Sequence, residues 1–169
     1  RTSTGKRRRA SATDRQSLIS INHQSLLDTQ EHTTMSITLT DQDKLTLRTA
    51  AYGAVTLMSA ADAAGKPHKA ATEGSIALAS ATGLVGHVLA EYPKDMKLDS
   101  KSVAAIADQV LPALTTAMSL LKQQAPEEAD NFRRTVIVAI EAAARSHQGQ
   151  PGPTLADMTR KITDALDAA

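Results

Sequence analysis

Ser80, His87 and Glu91 fall on one strip when residues 68–92 are wound as a helix, and Glu73 joins them. A hydroxyl, an imidazole and a carboxylate are the parts of a nucleophile, its base and an orienting acid. The helix that aligns them also separates them. Ser80 and His87 lie seven positions apart, roughly 10 Å along the axis, whereas nucleophile and base must approach to about 3 Å. His87 and Glu91, at i and i+4, can pair as an ion pair on a rim. Catalysis on this strip is not expected. His87, Glu91 and Glu73, together with Arg133, stand as candidates for lining a pocket between helices.

Other chemistry is sparser. His68, His87 and His147 lie in three different segments, and no helix carries His-x-x-x-His or Glu-x-x-His, so neither a metal nor a cofactor is expected. Cysteine is absent, which removes thiolate ligands, thiol nucleophiles and disulfides together. Arg133 and Arg134 point about 100° apart on a helix and share no implied phosphate. Gly83 and Gly86 lack the preceding strand of a phosphate loop. Lys6-Arg7-Arg8-Arg9 is the one handle for nucleic acid, and Arg8-Arg9-Ala10-Ser11 fits a short kinase-site pattern. Against nucleic-acid binding by the rest of the chain stand Tyr52, Tyr92 and Phe132 as the whole stacking inventory.

The elements that carry these residues are helices. Six basic and three acidic side chains give residues 1–34 a net +3, leaving −2 for the remainder of a chain whose total is +1. That polar segment cannot offset its own ordering entropy and reads as a disordered tail. Met35 is a candidate for the true start, and a chain beginning there is expected to keep its melting temperature. Residues 35–169 read as a single domain. Thr40, followed by Asp41 and Asp43, opens a helix to about Asp62. Gly65 and Pro67 separate it from a long central helix, His68–Tyr92, bulky on one side and bare at Ser75, Ala79, Gly83, Gly86 and Ala90 on the other. Asp99 or Ser100 caps a third helix to Gln124, whose Val103, Ala107, Val110, Leu114, Ala117 and Leu121 form a coiled-coil-like seam. Pro126 opens the fourth helix and Gly149 closes it. Thr154 and Asp157 read as a capping box for the fifth.

The expectation is therefore a compact all-α bundle of about five helices behind a disordered N-terminal tail, with the 68–92 helix at its centre. Its composition (Ala-rich, Lys-poor, cysteine-free) resembles that of proteins from high-GC bacteria. No apolar run reaches about 18 residues without polar breaks, so a soluble, cytoplasmic chain with no membrane partner is expected. The leading function is a non-enzymatic interaction module that pairs with itself as a homodimer, or with another helical protein. The alternative is a small-molecule-binding protein or enzyme with its pocket near His87. Were the third helix's seam satisfied within one chain, a monomer would follow.

Overall fold

Leu47, Ala50, Ala51, Ala54, Leu57 and Met58 recur at helical spacing and are all buried. They belong to the first of six helices in a computed structural model, which describes residues 37–169 as one unit. The helices are α1 (Asp41–Ala61), α2 (Pro67–Ala79), α3 (Gly83–Leu89), α4 (Val103–Gln124), α5 (Pro126–Arg145) and α6 (Pro153–Asp167). No strand occurs among the described residues. The fold is all-α, with six helices among the described residues where about five are expected from the sequence. The tail expected over residues 1–34, with its basic run, lies outside the described residues.

The centre of the bundle is α1, not the 68–92 segment, for α1 rests against each of the other five helices. Its middle is buried on every side from Ala50 to Val55. Small side chains there let neighbours approach: a Cβ on Gly53 would stand 2.9 Å from Val110 Cγ2 of α4. Gly74 does the same for α2, where a Cβ would lie 2.7 Å from Val55 Cγ1 and 3.3 Å from the Ala139 carbonyl of α5. At the head of α1, Thr40 is the N-cap that the sequence suggests, and the structure adds a reciprocal hydrogen bond from its N–H to the Asp43 carboxylate.

The single helix expected over 68–92 is broken in two. At its break the Ser80 hydroxyl donates to the Ile76 carbonyl at 2.8 Å, Thr82 is extended, and Gly83 takes φ +74°. That left-handed conformation reverses the chain at little cost only for glycine. A Cβ on Gly86 would meet the Ala81 carbonyl oxygen at 2.2 Å, so this glycine makes room for the turn's own backbone rather than for another helix.

In α4 the seam is consumed inside the bundle. Ala107, Val110, Leu114, Ala117 and Leu121 are all buried, and α1 is the helix against which α4 packs most extensively. Pro112 sits on the exposed side, and α4 continues through it. Among the described residues α4 is the one helix long and apolar enough to cross a membrane by length and composition. The cap of α4 is Ser102, which accepts from the Ala105 N–H at 3.0 Å, rather than Asp99 or Ser100. In α5, Pro126 occupies the first turn as expected, but the helix ends at Arg145, short of Gly149. The capping box expected from Thr154 and Asp157 does not form. Gly152 caps α6, and Asp157 pairs with Arg160 and with Lys161 at 3.0 Å.

Candidate interaction face between α2 and α5

The four residues singled out for a pocket are engaged separately. His87 is exposed on α3. Glu91, just past α3, accepts from Arg48 Nη2 at 2.5 Å. Arg133 grips Asp167 with two hydrogen bonds of 2.6 and 3.1 Å, tying α5 to α6 and holding the Asp167 carboxyl below the usual carboxylate range. Glu73 lies in a polar cleft of about 130 Å³ with Lys69 and Arg145. No group of three histidines or carboxylates comes together among the described residues.

What His87's helix does gain is a clamp at each end. A helix as short as α3 carries orphan N–H groups at its start and orphan carbonyls at its finish, with a dipole between them. Glu128, in the first turn of α5, accepts from the Val85 N–H at 3.0 Å, and Asn131 Nδ2 donates to the Thr82 carbonyl at 2.9 Å. At the other end Arg48 Nε donates to the Val88 carbonyl at 2.8 Å, and the Tyr52 hydroxyl donates to the Leu89 carbonyl at 2.8 Å. An anion thus sits at the positive end and a cation at the negative end. The Tyr52 ring meets Tyr92 edge-on at 5.0 Å. These are structural roles, and they account for Arg48, Tyr52, Glu91, Glu128 and Asn131.

A second long-range polar contact joins Asp62, 2% exposed at the C-cap of α1, to His147 just beyond α5. Asp62 also accepts from the Lys66 N–H at 3.1 Å. Gly65 covers the pair so closely that a Cβ there would fall 2.6 Å from His147 Nδ1. This pair reads as a fastening between helix ends.

Among the described residues, one surface with no such internal use is the outer side of α2 and α5; two other exposed apolar side chains, Ile37 and Tyr92, lie elsewhere. The two helices run antiparallel. Lys69 and Glu73 face Ala142 and Arg145 at one end, and Ala77 and Ser80 face Asn131, Thr135 and Val138 at the other. Along this side two branched aliphatic side chains are turned to solvent, Ile76 at 57% exposure and, in the second cleft, Val138 at 51%. Ile76 shares its strip of α2 with Glu73 and Ser80, at i−3 and i+4. The cleft beside Val138 measures about 570 Å³ and is open.

No family model, curated protein or solved structure matches this chain. Sequence reasoning missed the face, although a signal was present. Ile76 and Val138 are apolar residues that fall off the core arcs of their own helices, and that departure marks side chains left outside the core.

Proposed function

We propose that the six-helix unit is a non-enzymatic interaction module that associates with itself through the outer side of α2 and α5. The observation carrying this is the solvent exposure of Ile76 and Val138 on two adjacent helices whose inner sides are fully engaged. The α4 seam is satisfied within one chain, the case in which the sequence alone leads to a monomer, so self-association rests on the α2–α5 face and not on the seam. With two aliphatic side chains at its heart the contact is small, and a reversible, concentration-dependent dimer is expected. A soluble cytoplasmic setting belongs to the same proposal, supported by the burial of the α4 seam inside the bundle.

The alternative, a ligand pocket between helices at His87, draws no support from the position of His87, whose side chain faces out from α3. Neither His87 nor Arg133 lines the clefts described above. Sedimentation equilibrium of the full chain tests the proposal. A mass that rises toward the dimer with concentration supports it, and a monomer mass up to high micromolar concentration overturns it.

A further inference from the structure

We infer that two copies of this chain meet through α5, antiparallel, with Val138 of each copy at the twofold axis; the inference rests on the self-association proposed above. Measured around α5 from Val138 at 100° per residue, Glu127, Arg134, Glu141 and Arg145 fall within about 60°, and Asp130 within about 80°, all to one side. All five are exposed. Val138 is the large apolar residue among them, so burying it sets the centre of the contact.

A twofold contact brings each residue after Val138 against the residue equally far before it on the partner. Arg134 precedes Val138 by four positions and Glu141 follows it by three. Asp130 precedes by eight and Arg145 follows by seven. Each mismatch is one residue, about 1.5 Å of helix rise, and lies well within the reach of an arginine. In this register Arg134 meets Glu141 of the partner subunit, and Arg145 meets Asp130 of the partner subunit. Every cation on the strip finds a carboxylate.

The parallel arrangement does the opposite. It would set Arg134, Glu141 and Arg145 level with their own copies across the seam, with like charges as the nearest counterparts and none of these opposite-charge pairs formed. Within one chain these arginines are only loosely held. Arg134 Nε reaches the Asp130 carbonyl at 3.3 Å, and Arg145 Nη1 is 3.9 Å from Glu141. Their guanidinium groups retain donors for a second carboxylate. Exposed ion pairs add little affinity but fix register and orientation. The apolar contribution comes from Val138, with Ile76 on the flanking α2.

The chain has no cysteine, so single-cysteine variants report on the contact directly. Under mild oxidation the full-length Val138→Cys variant is expected to cross-link to a covalent dimer, while Ala104→Cys, on an exposed position of α4, stays monomeric. By sedimentation equilibrium, Val138→Glu should raise the dimer dissociation constant at least about tenfold, and so should Arg134→Glu alone. Arg134→Glu combined with Glu141→Arg should return it to within about threefold of the wild type, because opposite charges face each other again. A wild-type dimer that shows no cross-link at position 138, or that Val138→Glu leaves intact, overturns this contact while self-association stands. Failure of the double exchange to recover overturns the register. A wild type that never dimerises overturns both.

Discussion

His147 Nδ1 meets Asp62 Oδ1, joining the residue that closes α1 to one just past the end of α5 across 85 positions of sequence. The carboxylate is buried, and its second oxygen accepts from the Lys66 N–H that begins the link to α2. One side chain thus ties three segments together.

Replacing Asp62 with alanine leaves the imidazole and the Lys66 N–H without their acceptor. The expected loss is about 2–4 kcal/mol, between that of a buried hydrogen bond and a broken buried ion pair. Asp62→Asn, which retains an acceptor for Lys66, should lose less. Urea titration of the two variants checks the order, and an unchanged midpoint for Asp62→Ala would show that the fastening carries no stability.

Tyr52→Phe deletes the hydroxyl that closes the end of α3 and should cost about 1 kcal/mol. Burial, with Tyr92 beside it and Arg48 opposing, pushes the Tyr52 phenol above its ordinary value of 10.0. A group whose folded value is raised contributes stability below its unfolded value, and that stability is lost as pH rises through the folded one. The wild type should therefore weaken on the alkaline side above about pH 10, with a shallower decline in Tyr52→Phe. Ultraviolet titration of the two tyrosines, paired with melts at each pH, measures both.

The Asp43 carboxyl is held below its ordinary 3.8, first by the Thr40 hydroxyl and then by the Thr40 N–H. Its contribution is present above that value and is lost as pH falls past it. Thr40→Ala should cost about 1 kcal/mol at neutral pH and should flatten the loss of stability below about pH 4. A variant with an acid limb as steep as the wild type's would remove Asp43 from the account.

Gly83→Ala forces a Cβ into left-handed backbone and should destabilise by about 1–2 kcal/mol. Gly86→Ala should cost more, because its Cβ would strike the Ala81 carbonyl rather than a yielding side chain. Both effects oppose alanine's better helix propensity. A higher urea midpoint for either variant would contradict the turn described between α2 and α3.

What the sequence makes legible here is local. The Thr40 N-cap, Pro126 in the first turn of α5 and the buried arcs of α1, α4, α5 and α6 all follow from neighbours within a few residues. The break at Ser80–Gly83 is not legible, because a glycine inside a helical pattern does not announce the sign of its φ. The helical strip of Ser80, His87 and Glu91 dissolves for that reason alone. Arg48, Tyr52 and Glu128 act on α3 across 40, 37 and 43 positions, distances over which spacing carries no signal. Ile76 and Val138 lie between these cases. Their departure from the core arcs is visible in the chain, but only the fold shows how exposed they are among the described residues.

The double clamp on α3 also bears on the order in which the chain acquires its shape. Seven residues cannot sustain a helix unaided, since nucleation outweighs the few bonds that follow. The groups that hold α3 belong to α1 and α5, so α3 can persist only after those two have docked. It should then be the last helix to gain amide protection during refolding and the first to surrender it in the native state. Pulse-labelled hydrogen exchange would place the amides of Gly86 to Leu89 in a later phase than those of Ala50 to Met58. Simultaneous protection of the two sets would mean that α3 assembles with its supports rather than upon them.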